Sequence, residues 1–300
     1  MKTKKSILGI MMAAAVTIFL IPSCSKDETG SLSKNDIIQS QDVAYADALD
    51  EEVDNLVVSN VTSLNANNYS AVGLKSTNDN GDCVTITVDH PDSTSFPKVI
   101  TLDYGTGCTR VFKNDTITWQ GKIIITLTDR WFVKGAQHSV TFDNFYINGV
   151  KIEGTRTITN EGLNEKNHLM MKIVLENGKI IFNDTASMTR NASHEREWIR
   201  SFDPVNDTVL ITGSANGVNV KGETYERLIT SPLVMVHCMD FHWRWVIVKG
   251  TIQITNSVTG VSTIDYSSNG CDGTIVIGKN GNHNMFQFWY KHHNHGRGRH

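Results

Sequence analysis

Length, composition and charge place this chain among folded proteins and exclude two broad functions. Its 300 residues are 39% hydrophobic and 20% charged, which is enough to bury the core of one or two domains. The formal net charge of −3 provides no basic field, so general binding to nucleic acid has no electrostatic support. Beyond the N-terminus, no apolar run approaches the roughly 20 residues that a membrane-crossing helix needs.

The first 23 residues have the pattern of a signal peptide. A lysine-rich start precedes an apolar stretch at 7–21, which is too short for a stable transmembrane helix. The stretch ends in Leu20-Ile21-Pro22-Ser23-Cys24, which resembles a bacterial lipoprotein box in which the cysteine is acylated. The resemblance implies that residues 1–23 are removed and that Cys24 carries the lipid, although Pro22 replaces the usual small residue. Since each buried methylene contributes about 0.8 kcal/mol, more than one acyl chain would anchor the protein stably to a membrane.

Residues 24–35 are predicted to form a flexible tether, because they are polar and rich in Ser, Lys and Gly. Ser25-Lys26-Asp27-Glu28 follows directly after Cys24 and is similar to the surface-export signal of Bacteroidota lipoproteins. The same four residues also suit a plain solvated tether, so two orientations stay open. We expect an outer membrane lipoprotein that is either surface-exposed or periplasmic-facing.

Residues 36–57 are predicted to form an amphipathic, acidic helix. Its apolar residues recur at steps of three and four, the period of one helix face. They are Val43, Ala46, Leu49, Val53 and Leu56. Asp36 is a candidate cap for its start, and the helix is expected to cover one apolar face or open end of the body. The Asn-, Ser- and Thr-rich residues 58–82 are predicted to be a linker.

From Cys83 the hydrophobic period changes to two, and residues 83–290 are predicted to be an antiparallel β domain. Asn-Gly steps are the strongest hairpin signals, since both residues suit the positive φ angles of type I′ turns. They occur at Asn148-Gly149, Asn177-Gly178, Asn216-Gly217 and Asn280-Gly281. The predicted fold class is therefore all-β, with about ten to fourteen strands. We expect a long antiparallel meander of hairpins that forms a curled sheet, a sandwich or a partial barrel, with one N-terminal amphipathic helix.

Four cysteines besides Cys24 predict disulfides in an oxidising compartment. Three connectivities are open, and the pairs Cys83–Cys108 and Cys238–Cys271 are favoured because each brackets similar sequence. Residues 100–109 align with residues 262–272, including a shared Asp-Tyr step, which indicates an internal repeat. The alternative of a four-thiolate zinc site would need closely spaced Cys-x-x-Cys pairs, and the sequence has none.

Five β segments carry a resemblance to a known family, and they are residues 101–109, 121–126, 140–150, 153–160 and 248–252. These segments resemble a family of Bacteroidota cell-envelope lipoproteins of unknown function. The resemblance implies a β-sheet protein of the cell envelope, and it does not indicate any activity. Proteins of these bacteria are also O-glycosylated at Asp-Thr or Asp-Ser followed by a small or apolar residue. The matching threonines are Thr116, Thr185 and Thr208.

Local signatures of catalysis are absent from the sequence, which has no G-x-S-x-G elbow, no P-loop and no dinucleotide fingerprint. His194-Glu195-Arg196-Glu197-Trp198 begins like the zinc motif H-E-x-x-H, but Trp198 occupies the place of the second ligand. This charged cluster is therefore predicted to form an ion-pair network at a strand edge or in a loop. Asp103 and Asp265, at equivalent repeat positions, are predicted to make structural hydrogen bonds.

Histidines and tryptophans supply the candidate sites. In the His-rich tail at 291–300, His292, His293 and His295 are close enough to hold Zn²⁺, Cu²⁺ or Ni²⁺, or else to form a solvated basic tail. Most aromatic residues are expected in the core. Candidates for stacking on a sugar, if they stand exposed on a sheet face, are Trp119, Trp131 and Trp289.

These features together favour a noncatalytic binding module for a glycan or a protein of the envelope. Capture of divalent metal by the C-terminal tail is the alternative, and an envelope hydrolase built from distant strands is the third possibility. No resident cofactor and no nucleic-acid partner are expected.

Overall fold

A computed structural model describes residues 32–67, 69, 74–75, 84–92, 94–112, 115–238, 244–266, 271 and 273–287. In these residues one α-helix is followed by fifteen strands and one short 3-10 helix at Pro204–Asn206. The helix is α1 (Lys34–Ala66). The first strands are β1 (Leu74–Lys75), β2 (Thr85–Val88), β3 (Lys98–Asp103), β4 (Cys108–Phe112), β5 (Asp115–Leu127), β6 (Gln137–Ile147), β7 (Val150–Leu163) and β8 (Leu169–Asn183). The others are β9 (Ala186–Ile199), β10 (Thr208–Val218), β11 (Thr224–Cys238), β12 (Arg244–Asn256), β13 (Gly260–Asp265), β14 (Thr274–Lys279) and β15 (Asn282–Gln287).

The strands form one antiparallel sheet in which neighbours along the chain are neighbours in space. The order is β1-β2-β3-β5 and then β6 through β15 in sequence, while β4 pairs with β5 beside this path. The sheet is not closed. The predicted antiparallel meander with one N-terminal helix is thus confirmed, with fifteen strands rather than ten to fourteen. The extra strand is β1, which lies in the predicted linker.

Helix α1 is longer than its sequence pattern predicted. Ser33, and not Asp36, is the N-cap: its Oγ accepts a hydrogen bond from the Asp36 N–H at 3.1 Å, and Asp36 Oδ2 accepts one from the Ser33 N–H at 3.2 Å. These two bonds are a capping box. At the other end the helix continues to Ala66, because Val61 and Leu64 extend the buried stripe into the region predicted as linker.

Two of the four Asn-Gly steps make the predicted hairpin turns. Asn148-Gly149 joins β6 to β7 and Asn280-Gly281 joins β14 to β15, with φ angles of 50° and 80° in both turns. The prediction is wrong for the other two steps, which lie inside β8 and β10. There the glycine serves a close approach between strands: a Cβ on Gly217 would lie 1.9 Å from the Thr189 carbonyl oxygen.

The internal repeat has a structural counterpart. The backbone N–H of Tyr104 donates to the Gly121 carbonyl, and that of Tyr266 donates to the Gly250 carbonyl, both at 2.9 Å. Both tyrosines are buried. In the first copy, Asp103 Oδ1 accepts the Gly105 N–H at 2.8 Å, which is the structural hydrogen bond expected of this residue.

The predicted Cys238–Cys271 disulfide is confirmed, with 5.7 Å between the Cα atoms. It links the end of β11 to the segment between β13 and β14 and closes a loop with a sequence separation of 33. Restricting a loop of this length in the unfolded chain stabilises the fold by roughly 4 kcal/mol. Cys108 is also disulfide-bonded, and Cys83, its predicted partner, lies outside the described residues.

The sheet curls around α1. Buried residues occur on every side of the helix, including the consecutive run from Asp42 to Asp47. Side chains reach the helix from strands far apart in the sheet, such as Trp119 of β5, which donates to Glu52, and Ser262 of β13, which contacts Ser40. The helix therefore forms the centre of the core. The sequence pattern predicted that it covers one apolar face or an open end of the body, whereas residues on every side of it are buried.

The long axis of α1 defines two ends of the protein. The helix-start end carries the turn at Asn280-Gly281, where Lys279 pairs with Asp36 at 2.6 Å. The helix-finish end carries the loops at 128–136 and 199–208. A helix of 33 residues spans about 50 Å between them. Among the described residues, no helix is both long and apolar enough to cross a membrane.

Candidate functional site

A buried layer of opposite charges joins α1 to the inner face of the sheet. The helix contributes four acids at the spacing i, i+3, i+4 and i+7, which places them on one face. They are Asp47, Asp50, Glu51 and Asp54. Strands β7, β9 and β11 contribute four arginines, which are all buried. They are Arg156, Arg190, Arg196 and Arg227. We call these eight residues the charged layer.

Each arginine of the charged layer contacts an acid. Arg227 donates to Asp47 Oδ2 from Nε at 3.1 Å and from Nη2 at 2.9 Å, while Arg190 pairs with the other oxygen of Asp47. Arg156 Nε lies 2.7 Å from Asp54 Oδ1. These contacts tie strands on either side of the sheet's middle to one helix face.

Further pairs link the same residues, including Arg156 Nη1 with Asp50 Oδ1 at 3.3 Å. Arg190 Nε lies 3.0 Å from Asp50 Oδ2, and Arg196 lies 2.8 Å from Glu51 and also pairs with Asp54. Four guanidinium groups thus face four carboxyl groups. Burial of such charges is tolerated only when they are paired and hydrogen-bonded, so the layer fixes which turn of the helix lies against which strand.

Burial shifts the pKa of Glu51, a member of the charged layer, and the pKa of His194, which lies beside the layer. Burial raises the pKa of Glu51 to about 7, against the opposing attraction of Arg196. Burial also lowers the pKa of His194 well below its ordinary value, and the charge of Arg227 lowers it further. Since Arg227 Nη1 lies 3.1 Å from His194 Nε2, the neutral imidazole accepts a hydrogen bond from the guanidinium.

The His194–Trp198 cluster was expected at a strand edge or in a loop, and this prediction is wrong. The segment lies in β9, a strand paired on both sides, and His194 and Arg196 point into the core. The reason is strand alternation: the neighbouring residues Glu195 and Glu197 take the outer face, where Glu197 bonds His168 at 2.6 Å.

A second feature is a cavity where α1 approaches the helix-finish end. Its walls include three tryptophans from separate elements, which are Trp131, Trp198 and Trp245. Met171 and Met235 add apolar wall, and the helix contributes Asp54 and Asn55. The volume of the cavity is about 50 Å³. We call it the tryptophan cavity.

Aromatic contacts organise the outer part of the tryptophan cavity. Trp198 and Trp245 are half-buried and meet edge to face, with ring centroids 6.0 Å apart. His237 packs against Trp245 at 3.9 Å. Trp198 is fixed further by its indole N–H, which donates to Asp207 Oδ2 at 2.8 Å. Part of two tryptophan rings is therefore held rigidly at the border between core and solvent.

The inner tryptophan of the cavity is Trp131. It is buried and stacks flat on His138, with centroids 4.2 Å apart and an interplanar angle of 7°. Its indole N–H has no hydrogen-bond partner among the described residues, and neither ring nitrogen of His138 has one. A buried donor without a partner costs about 1–3 kcal/mol, so the unpaired indole N–H of Trp131 destabilises the folded state.

Apart from Cys108, Cys238 and Cys271, which are disulfide-bonded, the predicted site residues fall into two groups. Trp119 and Trp131 are buried, at 5% and 2% exposure, so neither can offer a ring face to a sugar as the stacking hypothesis required. Trp119 instead donates to Glu52 at 2.9 Å inside the core. Four predicted sites lie outside the described residues, and they remain predictions. They are Cys24, Trp289, the tail with His292, His293 and His295, and Cys83.

No group of three or more His, Cys, Asp or Glu side chains is arranged to hold a metal ion within the described ranges. His237 adjoins Cys238 in sequence, but the disulfide makes this sulfur unavailable as a ligand. The His-rich tail lies outside the described residues, so metal capture by the tail stays a prediction.

Sequence reasoning missed the charged layer and the outer wall of the tryptophan cavity. A signal was present in β9, where Arg190, Ala192, His194 and Arg196 alternate on one face without a large apolar residue. A strand face with this composition is normally exposed to solvent, and its burial could be predicted only by pairing it with the acids of α1. Trp198 and Trp245 gave no comparable signal, because they come from separate strands.

Comparison of the chain with protein-family models, with curated proteins and with solved structures finds no match. The resemblance to Bacteroidota lipoproteins thus stays a prediction, and the function has to be argued from the site.

Proposed function

We propose that this protein is a lipid-anchored, noncatalytic binding module of the cell envelope, with its binding surface at the helix-finish end. The observation that carries the proposal is a group of aromatic rings that are not needed for the core. The exposed Phe132 lies with its ring centroid 6.4 Å from that of the half-buried Trp198, which in turn meets Trp245 at 6.0 Å. Phe202 is exposed in the loop that follows β9. Exposed aromatic rings in a cluster are typical of a surface that meets a partner.

A guanidinium group adds to this surface. Arg200 lies over the Phe132 ring at 4.8 Å and over the Trp198 ring at 5.5 Å, which orders an otherwise long and flexible side chain. Trp, Tyr and Arg dominate the residues that contribute most to binding in protein interfaces. Aromatic rings beside hydrogen-bond donors also suit sugars, whose apolar faces stack on rings. The surface therefore supports a glycan or a protein as partner.

The direction of the chain supports anchoring at the opposite end. Cys24, the predicted lipidation site, precedes the first residue of α1 by ten positions, and a fully extended segment of this length reaches at most about 35 Å. The helix then runs about 50 Å away from its start. A membrane attached through Cys24 would leave the helix-finish end free to meet a partner.

Anchoring is tested by comparing the full chain with the variant Cys24→Ala in the bacterium that expresses it. We expect the wild-type protein in the outer membrane fraction with two or more acyl chains on residue 24, as read from intact mass, and the variant in the soluble fraction. A wild-type protein that is soluble and unacylated would contradict the anchored part of the proposal.

Binding is tested with the double variant Phe132→Ser/Phe202→Ser, applied to an array of glycans and to purified outer membrane proteins. We expect saturable binding by the wild-type chain and a loss of at least tenfold in the variant. The matched control is Val111→Ser/Val258→Ser, which removes two exposed apolar residues elsewhere and should bind like wild type. Equal binding by all three proteins, or no binding by the wild type, would contradict the proposed surface.

A further inference from the structure

Arg200 is an exposed cation that no acid among the described residues opposes. Its guanidinium carbon lies 4.8 Å from the centre of the Phe132 ring and 5.5 Å from that of the Trp198 ring. Its side chain forms no ion pair and no hydrogen bond within the described part of the chain. Contact with a ring uses the face of the planar group and leaves the N–H donors on its edge available. The side chain is therefore ordered, charged and unpaired.

The three acids nearest to Arg200 in the sequence are hydrogen-bonded elsewhere in the protein. Asp207 uses both carboxylate oxygens, which accept N–H groups at 2.7 and 2.8 Å. Asp203 accepts a backbone N–H at 3.2 Å at the start of the short 3-10 helix. Glu197 is bonded by two side chains of the turn before β8, at 2.6 and 2.9 Å. Since none of these acids pairs with the guanidinium group, a partner can supply the anion.

Apolar side chains from separate elements lie near this cation. Phe132 is exposed in the loop after β5, and Phe202 follows the cation by two residues and is fully exposed. Leu163, at the end of β7, is 64% exposed. It belongs to the same surface, because Leu169 is the register partner of both Leu163 and Trp198. The unpaired charge therefore borders an exposed apolar area.

The composition of this surface favours a peptide over a sugar acid or an anionic lipid surface. A sugar carries a hydroxyl on most of its carbons, and contact with Leu163 and Phe202 would leave such hydroxyls without hydrogen-bond partners. Glu161 and Glu165, two residues to either side of Leu163 in the sequence, are exposed and would repel an evenly anionic surface. A peptide can place a single carboxylate at the cation and apolar side chains beside it.

We propose that the helix-finish end binds a segment of a partner protein in which a Glu or Asp carboxylate pairs with Arg200 and an adjacent apolar side chain packs against Phe132 and Phe202. This partner class rests on the proposed binding function. The planar guanidinium group can bind the carboxylate through two parallel N–H···O bonds. Because the rings already order Arg200, little side-chain entropy is lost on binding.

The experiment is fluorescence anisotropy of the full chain in detergent with a set of labelled eight-residue peptides. Each peptide has one Glu beside two apolar residues chosen from Leu, Ile, Val and Phe, with capped ends and Ser and Gly elsewhere. A matched set has Gln in place of Glu. We expect saturable binding of at least one Glu peptide and at least tenfold weaker binding of its Gln counterpart.

Three outcomes of this experiment would overturn the proposal. The first is that no Glu peptide binds, and the second is that the Gln counterparts bind as tightly. The third is that an unlabelled trimer of galacturonic acid binds more tightly than every peptide, which would make the partner an acidic glycan.

A matched pair of substitutions tests Arg200 itself. Arg200→Gln is expected to weaken binding of the Glu peptide at least tenfold and to abolish the preference for Glu over Gln, because the carboxylate loses its partner. A merely structural role of Arg200 would weaken both peptides and keep the preference. Lys221→Gln removes a positive charge from an exposed side chain in the turn between β10 and β11 and should bind like wild type. An undiminished preference for Glu in Arg200→Gln would overturn the proposed pair.

Failure of this inference is distinguishable from failure of the proposed function. If a glycan or an outer membrane protein binds, is lost in Phe132→Ser/Phe202→Ser and is unaffected by Arg200→Gln, the partner class is wrong and the binding function stands. If nothing binds to the wild type, both are wrong.

Discussion

Replacement of Asp47 by alanine is expected to lower the free energy of unfolding by about 3–5 kcal/mol, because it removes the shared partner of two buried guanidinium groups. Asp47 contacts Arg190 with one oxygen and Arg227 with the other, and all three residues are almost fully buried. Losing one member leaves charge in the core without compensation. The measurement is chemical denaturation followed by far-ultraviolet circular dichroism, for wild type and variant at the same pH.

The control for this prediction is an ion pair that water can reach. Glu153 lies 2.8 Å from Lys151 on the outer side of β7, and both side chains are partly exposed. Solvent screens such a pair, so Glu153→Ala is expected to leave the free energy of unfolding nearly unchanged. If Asp47→Ala cost as little as Glu153→Ala, the charged layer would not be what holds α1 in the sheet.

Replacement of His138 by phenylalanine is expected to make stability less dependent on pH between 6.5 and 4. Burial lowers the pKa of His138 to about 4, from an ordinary value of 6.5. Between these values the unfolded chain binds a proton that the folded chain does not, so stability contributed by the neutral ring is lost as the pH falls. At pH 4.5 this loss amounts to about 2–3 kcal/mol. Phenylalanine keeps a ring against Trp131 and cannot take up the proton.

The measurement is the free energy of unfolding at pH 7 and at pH 4.5 for wild type and His138→Phe. The wild type should lose more stability on acidification than the variant, because only the wild type carries His138. The lowered pKa values of His194 and His237 act in the same direction, but they do so in both proteins. Glu51 acts in the opposite direction, because its raised pKa means that the folded state holds the extra proton between about 4.5 and 7. The difference between the two proteins isolates His138. An identical loss in both would show that this ring does not stay neutral in the folded state.

Local patterns in the sequence predicted most of the sheet correctly. Alternation of apolar and polar residues gave the strand-rich domain, and the Asn-Gly steps at Asn148 and Asn280 gave two hairpin turns. The same dipeptide misled at Asn177 and Asn216, where long strands continue and a glycine allows neighbouring backbones to approach. An Asn-Gly step permits positive φ angles, but it does not determine whether the chain reverses direction there.

The candidate site was predictable only in part. The tryptophans were recognised as candidates, but Trp119 and Trp131 were considered as exposed rings and are buried. The tryptophan cavity joins residues from α1, from the loop after β5 and from β9 and β12. No spacing along the chain brings such positions together, since their proximity depends on the curl of the whole sheet.

By itself the sequence predicted the strand class, the hairpin turns at Asn148-Gly149 and Asn280-Gly281, and an acidic helix near the N-terminus. It favoured the pairing of Cys238 with Cys271 among three possible connectivities. Only the tertiary structure decided where the acids of that helix lie. Charged residues are normally exposed, and their burial becomes favourable only when complementary charges meet them in the same place. The arginines that do so follow more than a hundred residues later in the chain, on strands that reach α1 only because the sheet curls around it.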